Sequence, residues 1–277
     1  VEIGMYPQID NKSGWQGCNL TEINGGKCNT EEDFYKACRA ASILGTLQAG
    51  YTNFKFLSED SKLIFEREAL LGVSITGWMN NPSILFDEKI LEKGAQIVKD
   101  VNREVAEIIG INPAARTTCV KPSGNASVLL QTASGIHAEH SSMYIRNVQM
   151  NKESEITQAI MKTNPYMVED SVWSAGGTDV VVSFPILPNK GSMYKDDLLG
   201  IKHLELVKKA QKHWVETGTN EELCADRGIR HNVSNTIIVD DWDEVEKYVF
   251  ENRDAFAGIS FLAMTGDKDY NPVSYTH

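Results

Sequence analysis

The sequence predicts an α/β fold in which helices lie outside a mostly parallel sheet. Short apolar segments alternate with longer segments whose apolar residues have helical spacing. A strand, a Pro-Ser-Gly turn and a helix also follow one another directly near residue 122, as at a strand-to-helix crossover. With 277 residues, 42% of them hydrophobic, and no linker or repeat, we expect a single domain over residues 1–277.

Each predicted element is indicated by its local pattern. Thr30 caps a helix with acidic residues in its first turn, and Gly110 and Pro113 end a long amphipathic helix. The predicted strands are residues 18–23, 72–78, 117–120, 179–185, 232–239 and 258–264. The predicted helices are residues 30–49, 58–71, 87–109, 125–130, 154–163, 198–217 and 243–252.

Composition excludes several classes of partner. The net charge is -11 and the acidic residues are scattered, so the sequence lacks the basic face that nucleic-acid binding requires. No apolar run is long enough for a membrane span and no signal peptide is present, so we expect a cytoplasmic protein with a small-molecule partner. The five cysteines have neither disulfide-framework nor zinc spacing, and His137 and His140 lack ligand spacing, so no metal site is predicted.

The turn after the 117–120 strand is a candidate anion site. Free N–H groups at a helix start point outward and the helix dipole adds positive charge, while small residues let a phosphate approach. Lys121 either adds charge or is a solvated side chain at a strand end. The alternative is that Ser123 or Asn125 merely caps the helix, since the Walker spacing is absent. The candidate residues are Pro122, Ser123, Gly124, Asn125, Ala126 and Ser127.

Three stretches together carry a family resemblance. They are Val1, Glu2 and Ile3; GCNLTEI at residues 17–23; and KPSGNAS at 121–127, followed by SGIH at 134–137. In their order and spacing they resemble the large catalytic chain of ribonucleotide reductases, specifically the adenosylcobalamin-dependent class II branch. The weaker matches GVSITGW, HNVSNTIIV and FAGISFLAM extend the likeness over nearly the whole chain.

The resemblance implies a particular fold. Members of this family have a ten-stranded α/β barrel made of two five-stranded halves joined at a finger loop. The chain would be the second half and begin within that loop, because the family's Asn-Pro-Cys-x-Glu-Ile stretch is matched here only by its last three positions. The radical Cys and its Asn would then precede residue 1, in a complementary N-terminal half.

The resemblance also implies residue roles. Glu2 would be the base beside the radical Cys, unless it is an ordinary solvated Glu. Cys18 would be one of two cysteines that reduce the substrate, unless it is a core residue; the turn would hold the substrate phosphates. We expect Cys119 and Cys38 to be packing residues, and we expect Cys28 and Cys224 to lie in loops or at the surface.

The branch determines the cofactor. Enzymes of the class I branch use paired tyrosines on the last barrel strand, and residues 258–264 contain no tyrosine. The resemblance therefore implies adenosylcobalamin, a ribonucleoside triphosphate substrate and an external dithiol reductant such as thioredoxin. Two alternatives stay open: a class I ribonucleoside-diphosphate reductase large chain, and a non-catalytic nucleotide-binding module derived from a reductase.

Overall fold

The computed structural model describes residues 7–264, so Glu2 lies outside the described residues. The strands are β1 (Gln8–Ile9), β2 (Lys12–Ser13), β3 (Asn19–Asn24), β4 (Leu71–Thr76), β5 (Tyr144–Asn151), β6 (Val168–Asp170), β7 (Asp179–Ile186), β8 (Thr236–Val239) and β9 (Ser260–Ala263). The helices are α1 (Glu31–Ala49), α2 (Glu59–Glu68), α3 (Pro82–Leu85), α4 (Glu88–Ile109), α5 (Gly124–Leu130), α6 (Glu155–Thr163), α7 (Gly200–Ala210) and α8 (Trp242–Glu251).

Parallel pairings connect strands in chain order. β3 pairs with β4 over six residues, and β8 pairs with β9 over four. Between these pairs, single parallel bridges join Val73 to Thr118 and Val120 to Val233. Within the same segment, the N–H and the hydroxyl of Thr117 both donate to the carbonyl of Gly218, at 2.9 and 2.8 Å.

An antiparallel sheet departs from the expected mostly parallel arrangement. The strand predicted at 179–185 exists as β7, but it lies between β5 and β6 and pairs antiparallel with both. β5 was not predicted because its sequence, YIRNVQMN, mixes polar and apolar residues on both faces. The described residues therefore form an α/β fold with several small sheets rather than one sheet.

Helix α1 packs against β3 and β4, and α4 packs against α1. Phe34 of α1, Leu91 of α4 and Ile75 of β4 are fully buried in one core cluster. The predicted cap of α1 is confirmed: Thr30 and Asp33 exchange two side-chain-to-backbone hydrogen bonds of 3.1 Å. Among residues 7–264, no helix is both long and apolar enough to cross a membrane.

The predicted 198–217 helix changes geometry along its length. α7 continues into a π-helical turn, Gln211–Glu216. There the Thr118 hydroxyl donates to the carbonyl of Trp214 at 2.6 Å, and the Trp214 indole donates to the carbonyl of Cys119 at 3.1 Å. The same Trp214 carbonyl also accepts from the N–H of Gly218 at 3.1 Å. These bonds fix the strand that leads into the 121–127 turn.

Candidate active site

The 121–127 turn has a defined shape. Ser123 has left-handed backbone geometry, with φ of 60°, and immediately precedes α5. Its side chain makes no capping hydrogen bond, so Ser123 is not a simple helix cap. Ser123 and Ser127 are buried, and the Ser127 hydroxyl donates to the carbonyl of Gly124 at 2.8 Å. An internal hydrogen bond therefore holds the Ser127 side chain in place.

The SGIH segment supports the turn from behind. Gly135 has φ of +53°, and a Cβ there would lie 2.6 Å from the Lys121 carbonyl oxygen, so only glycine fits both the conformation and the space. The Ser134 hydroxyl donates to the Pro122 carbonyl. The two motifs, which are separate in the sequence, thus form one structural unit.

Glu22 of β3 joins the turn to the Cys18 segment. Its carboxylate lies 2.6 Å from Lys121 Nζ and accepts a hydrogen bond from the Ser123 hydroxyl. The Lys121 N–H donates to Ser74 Oγ of β4 at 2.9 Å, which ties the same turn to the neighbouring strand. Lys121 is therefore not a freely solvated side chain.

Burial dominates the electrostatics of Glu22. The side chain is 8% exposed, and this desolvation raises the pKa of its carboxyl above the ordinary value. The Lys121 ammonium, by hydrogen bond and charge, and the Ser74 hydroxyl act in the opposite direction but do not outweigh burial. Glu22 was not singled out from the sequence, although strand alternation places it on the same face as Cys18, four residues before it.

Cys18 lies just before β3 and is half-buried. Its Sγ is 2.9 Å from the position that a Cβ on Gly72 would occupy, and the Sγ of Cys119 is 3.0 Å from the same position. The two sulfur atoms are thus within about 6 Å of each other. Cys119 is fully buried, as expected for a packing residue.

The remaining cysteines lie elsewhere. Cys38 is fully buried in the core, as expected, and Cys224 is half-buried. Cys28 lies in the loop that follows β3, which is one of the two expected locations, but it is buried there, only 4% exposed, and its thiol donates to the carbonyl of Asn24. Burial and the charge of Asp33 raise the pKa of Cys28 to about 11.

His137 has a structural position. Its Nε2 accepts from the backbone N–H of Thr236 at 3.0 Å, which leaves Nδ1 to donate to the Ser134 carbonyl at 2.9 Å. Both ring nitrogens therefore tie the SGIH segment to neighbouring backbone. In the described part of the chain, no group of three or more His, Cys, Asp or Glu side chains could hold a metal ion.

A polar cavity lies near the carboxyl ends of β3 and β4. Its volume is about 260 Å³, slightly below the roughly 300–1,000 Å³ of common ligand pockets. Its lining residues are Gly26, Lys27, Asn29, Asn80, Asn81, Asn189 and Lys190. A cavity of this size does not enclose a corrinoid cofactor.

Comparisons with known proteins give one consistent result. No protein-family model matches the chain. An adenosylcobalamin-dependent ribonucleoside-triphosphate reductase of Euglena gracilis is 24% identical over 212 residues, and a probable one of Dictyostelium discoideum is 26% identical over 213. These matches cover 76% and 75% of this chain. The chain spans only about a quarter of those relatives, 28% and 26% of their lengths.

The fold comparison agrees with the sequence comparison. The crystal structure of a B12-dependent (class II) ribonucleotide reductase superposes with a TM-score of 0.74 at 17% identity. The match covers 91% of this chain and 37% of that chain. The resemblance to class II reductases that the motifs indicated is therefore confirmed.

Proposed function

We propose that this chain, which resembles class II ribonucleotide reductases in sequence and fold, forms part of an adenosylcobalamin-dependent ribonucleoside-triphosphate reductase. One contact carries the proposal: Glu22, on the strand that follows Cys18, binds both Lys121 and Ser123 of the turn. This contact links the strand after the proposed reducing thiol to the proposed phosphate site, about a hundred residues away in sequence, and supports the two acting together. Packing alone would not require a buried carboxylate at this point.

The proposed architecture is a single-domain half-barrel over residues 1–277. The parallel pairings that run from β3 to β9 in chain order support it. On β9, Phe261 and Leu262 are 40% and 50% exposed, so the last strand of the series presents apolar side chains to solvent. An upstream half that continues the sheet past β9 would cover them.

The turn residues would bind the substrate. Backbone N–H groups of residues 123–126 would hold the phosphates, with Pro122 setting the turn and Ser127 supporting it, and Lys121 would contribute positive charge. Glu22 would keep Ser123 in its left-handed conformation, and the ribose would then face Cys18. The turn itself binds and orients without reacting.

Reduction of the ribose needs two thiols. The 2'-hydroxyl leaves as water while Cys18 and a second cysteine, supplied by the upstream half, give up two electrons and form a disulfide. Glu2 would take the proton of the 3'-hydroxyl. An external dithiol such as thioredoxin would then reduce the disulfide by exchange. Because the reaction consumes thiols, we also propose a cytoplasmic location.

Adenosylcobalamin, when bound, would supply the radical that starts the reaction. We assign none of the described residues to the cofactor. The complete enzyme would bind it. A class I large chain is not favoured, because the relatives are named as cobalamin-dependent triphosphate reductases.

Reconstitution tests the proposal. The chain would be produced together with an upstream half that carries the radical Cys, and triphosphate reduction would be assayed with and without adenosylcobalamin. We expect cobalamin-dependent turnover that Cys18→Ser abolishes and Cys224→Ser, a matched half-buried thiol, leaves intact. Turnover without cobalamin would contradict the proposed class, and full multiple turnover in Cys18→Ser would indicate a non-catalytic module.

A further inference from the structure

The polar cavity near the carboxyl ends of β3 and β4 differs in charge from the rest of the chain. Lysines and amides provide its polar side chains, and no Asp or Glu lines it. The whole chain has a net charge of -11, so a lining without carboxylates stands out. Lys27 and Lys190 are both exposed, and within residues 7–264 neither forms an ion pair. Two ammonium groups are therefore available to a ligand.

Hydrogen bonds between distant segments hold the wall of the cavity in shape. The Asn80 amide donates to the Ser192 hydroxyl at 3.0 Å, and that hydroxyl donates to the carbonyl of Asn189 at 2.8 Å. The Asn189 amide in turn donates to the carbonyl of Gly26 at 3.0 Å. The three segments that line the cavity are thus tied to one another, so the cavity is formed before a ligand binds.

One buried carboxylate lies behind the cavity and is held by other donors. Glu139 is 4% exposed and accepts from the Asn80 amide at 2.7 Å and from the Tyr144 hydroxyl at 2.8 Å. Asn80 lines the cavity, whereas Glu139 does not. The negative charge of Glu139 disfavours an anion nearby, but the two ammonium groups of the lining outnumber it.

We propose that this cavity binds a phosphate group through Lys27 and Lys190. A phosphate carries about -1.5 to -2 charges at pH 7, which two ammonium groups match and which a single carboxylate ligand does not reach. Lysine binds phosphate as a point charge, and side-chain amides can donate to the remaining oxygens. With a volume of about 260 Å³, just below the range of common ligand pockets, the cavity accommodates a phosphate group rather than a whole nucleoside triphosphate.

The cavity is separate from the 121–127 turn. Gly26, in the cavity wall, lies against the segment that follows α5, because a Cβ on Gly26 would be 2.9 Å from Thr132 Cγ2. The turn precedes α5, and this helix of 7 residues is about 10 Å long. The two anion sites therefore lie toward opposite ends of one helix, and phosphate binding at the cavity does not depend on the reductase function proposed above.

Lysine acetylation tests where phosphate binds. The full chain would be treated with limiting N-hydroxysuccinimidyl acetate at low ionic strength, with and without pyrophosphate, and the modified lysines would be read by mass spectrometry. We expect pyrophosphate to slow the acetylation of Lys27 and Lys190 but not of Lys162, an exposed lysine outside the cavity. Lys121 reports the turn separately. Protection of Lys121 alone would place the anion at the turn and overturn the cavity site.

Charge-matched variants test whether the two lysines act together. In Lys27→Gln, the pyrophosphate concentration that half-protects Lys190 should rise about fivefold to tenfold, and Lys190→Gln should have the same effect on Lys27. Lys162→Gln removes the same charge and should leave both concentrations unchanged. All three lysines are exposed, so the variants should fold. An unchanged half-protection concentration in Lys27→Gln and Lys190→Gln would overturn the proposal.

The choice of probe identifies the source of the phosphate. Inorganic phosphate, pyrophosphate and ATP would be compared by their protection of Lys27 and Lys190. Protection by the inorganic anions at concentrations as low as those of ATP would assign the cavity to a free anion. Protection by ATP at far lower concentrations would assign it to the oligophosphate of a nucleotide whose nucleoside stays outside. Protection by none of the three would overturn the proposal.

Discussion

Replacing Glu22 perturbs the contact that joins β3 to the 121–127 turn. Glu22→Ala leaves the Lys121 ammonium and the Ser123 hydroxyl without their carboxylate, in a setting where Lys121 is 22% exposed. Glu22→Gln keeps the shape and can still hydrogen-bond Ser123, but it removes the charge. The two variants therefore separate the hydrogen bonds from the ion pair.

The magnitude follows from the exposure of the two partners. Removing one member of a fully buried pair destabilises by about 3–5 kcal/mol, whereas exposed pairs contribute about 0–1 kcal/mol. With side chains 8% and 22% exposed, we expect the free energy of unfolding to fall by about 2 kcal/mol in Glu22→Ala. Glu22→Gln should lose about 1 kcal/mol or less, because it also escapes the cost of burying a charge.

The pH dependence of stability has a definite sign. Because burial raises the pKa of Glu22 above 4.5 in the folded state, the unfolded chain releases this proton more readily. The contribution of Glu22 is fully present below pH 4.5 and decreases as the pH rises through the folded pKa. The stability of the wild type relative to Glu22→Gln should therefore decrease over that window.

Urea unfolding at a series of pH values measures both quantities. Lys121→Met completes a double-mutant cycle with Glu22→Gln. The control is Glu32→Gln, in the exposed ion pair with Lys36, which should leave the free energy of unfolding unchanged. A wild type that gains stability relative to Glu22→Gln as pH rises would refute the reasoning, because the ion pair would then outweigh burial.

Three further predictions concern stability. Glu68→Ala should lower the free energy of unfolding by about 3–5 kcal/mol, because it removes the charge partner of the fully buried Arg116, which lies 2.9 Å from the Glu68 carboxylate. A loss below about 1 kcal/mol in urea unfolding would contradict this prediction. Gly218→Ala should cost at least about 3 kcal/mol, since the new Cβ would lie 1.9 Å from the Thr118 hydroxyl; an unchanged melting temperature would disprove the close approach. Burial, together with the charge of the nearby His137, lowers the pKa of His203 to about 3. The contribution of His203 to stability is therefore present above pH 6.5 and is lost as the pH falls toward 3. His203→Gln should flatten the dependence of unfolding free energy on pH in that window, and an unchanged dependence would contradict this prediction.

The sequence predicts the elements whose determinants are local. The cap of α1 and the end of α4 at Gly110 follow from residues within one helical turn, and β3, β4 and β8 follow from short apolar runs bounded by turn residues. The candidate turn is local in the same sense, as Pro122 and Gly124 interrupt the chain between strand and helix. These features need no knowledge of distant residues.

Other features depend on partners far along the chain. The π-helical turn lies beside a segment about a hundred residues earlier, whose Thr118 hydroxyl donates to the Trp214 carbonyl. Likewise, β7 has the same apolar pattern as a parallel strand, and only its pairing with β5 makes it antiparallel. Apolar pattern reports burial rather than strand direction.

Glu22 shows how the two kinds of information combine at the candidate site. Strand alternation places Cys18 and Glu22 on one face of β3, which is a local inference. The pairing of Glu22 with Lys121 requires that residues 117–120 lie beside β4, which the Val73–Thr118 bridge establishes. A buried carboxylate needs a compensating group, so once the strand order is known the only nearby cation in these motifs, Lys121, becomes its expected partner. The ion pair thus follows from topology plus charge, and it is the point where the GCNLTEI and KPSGNAS segments meet.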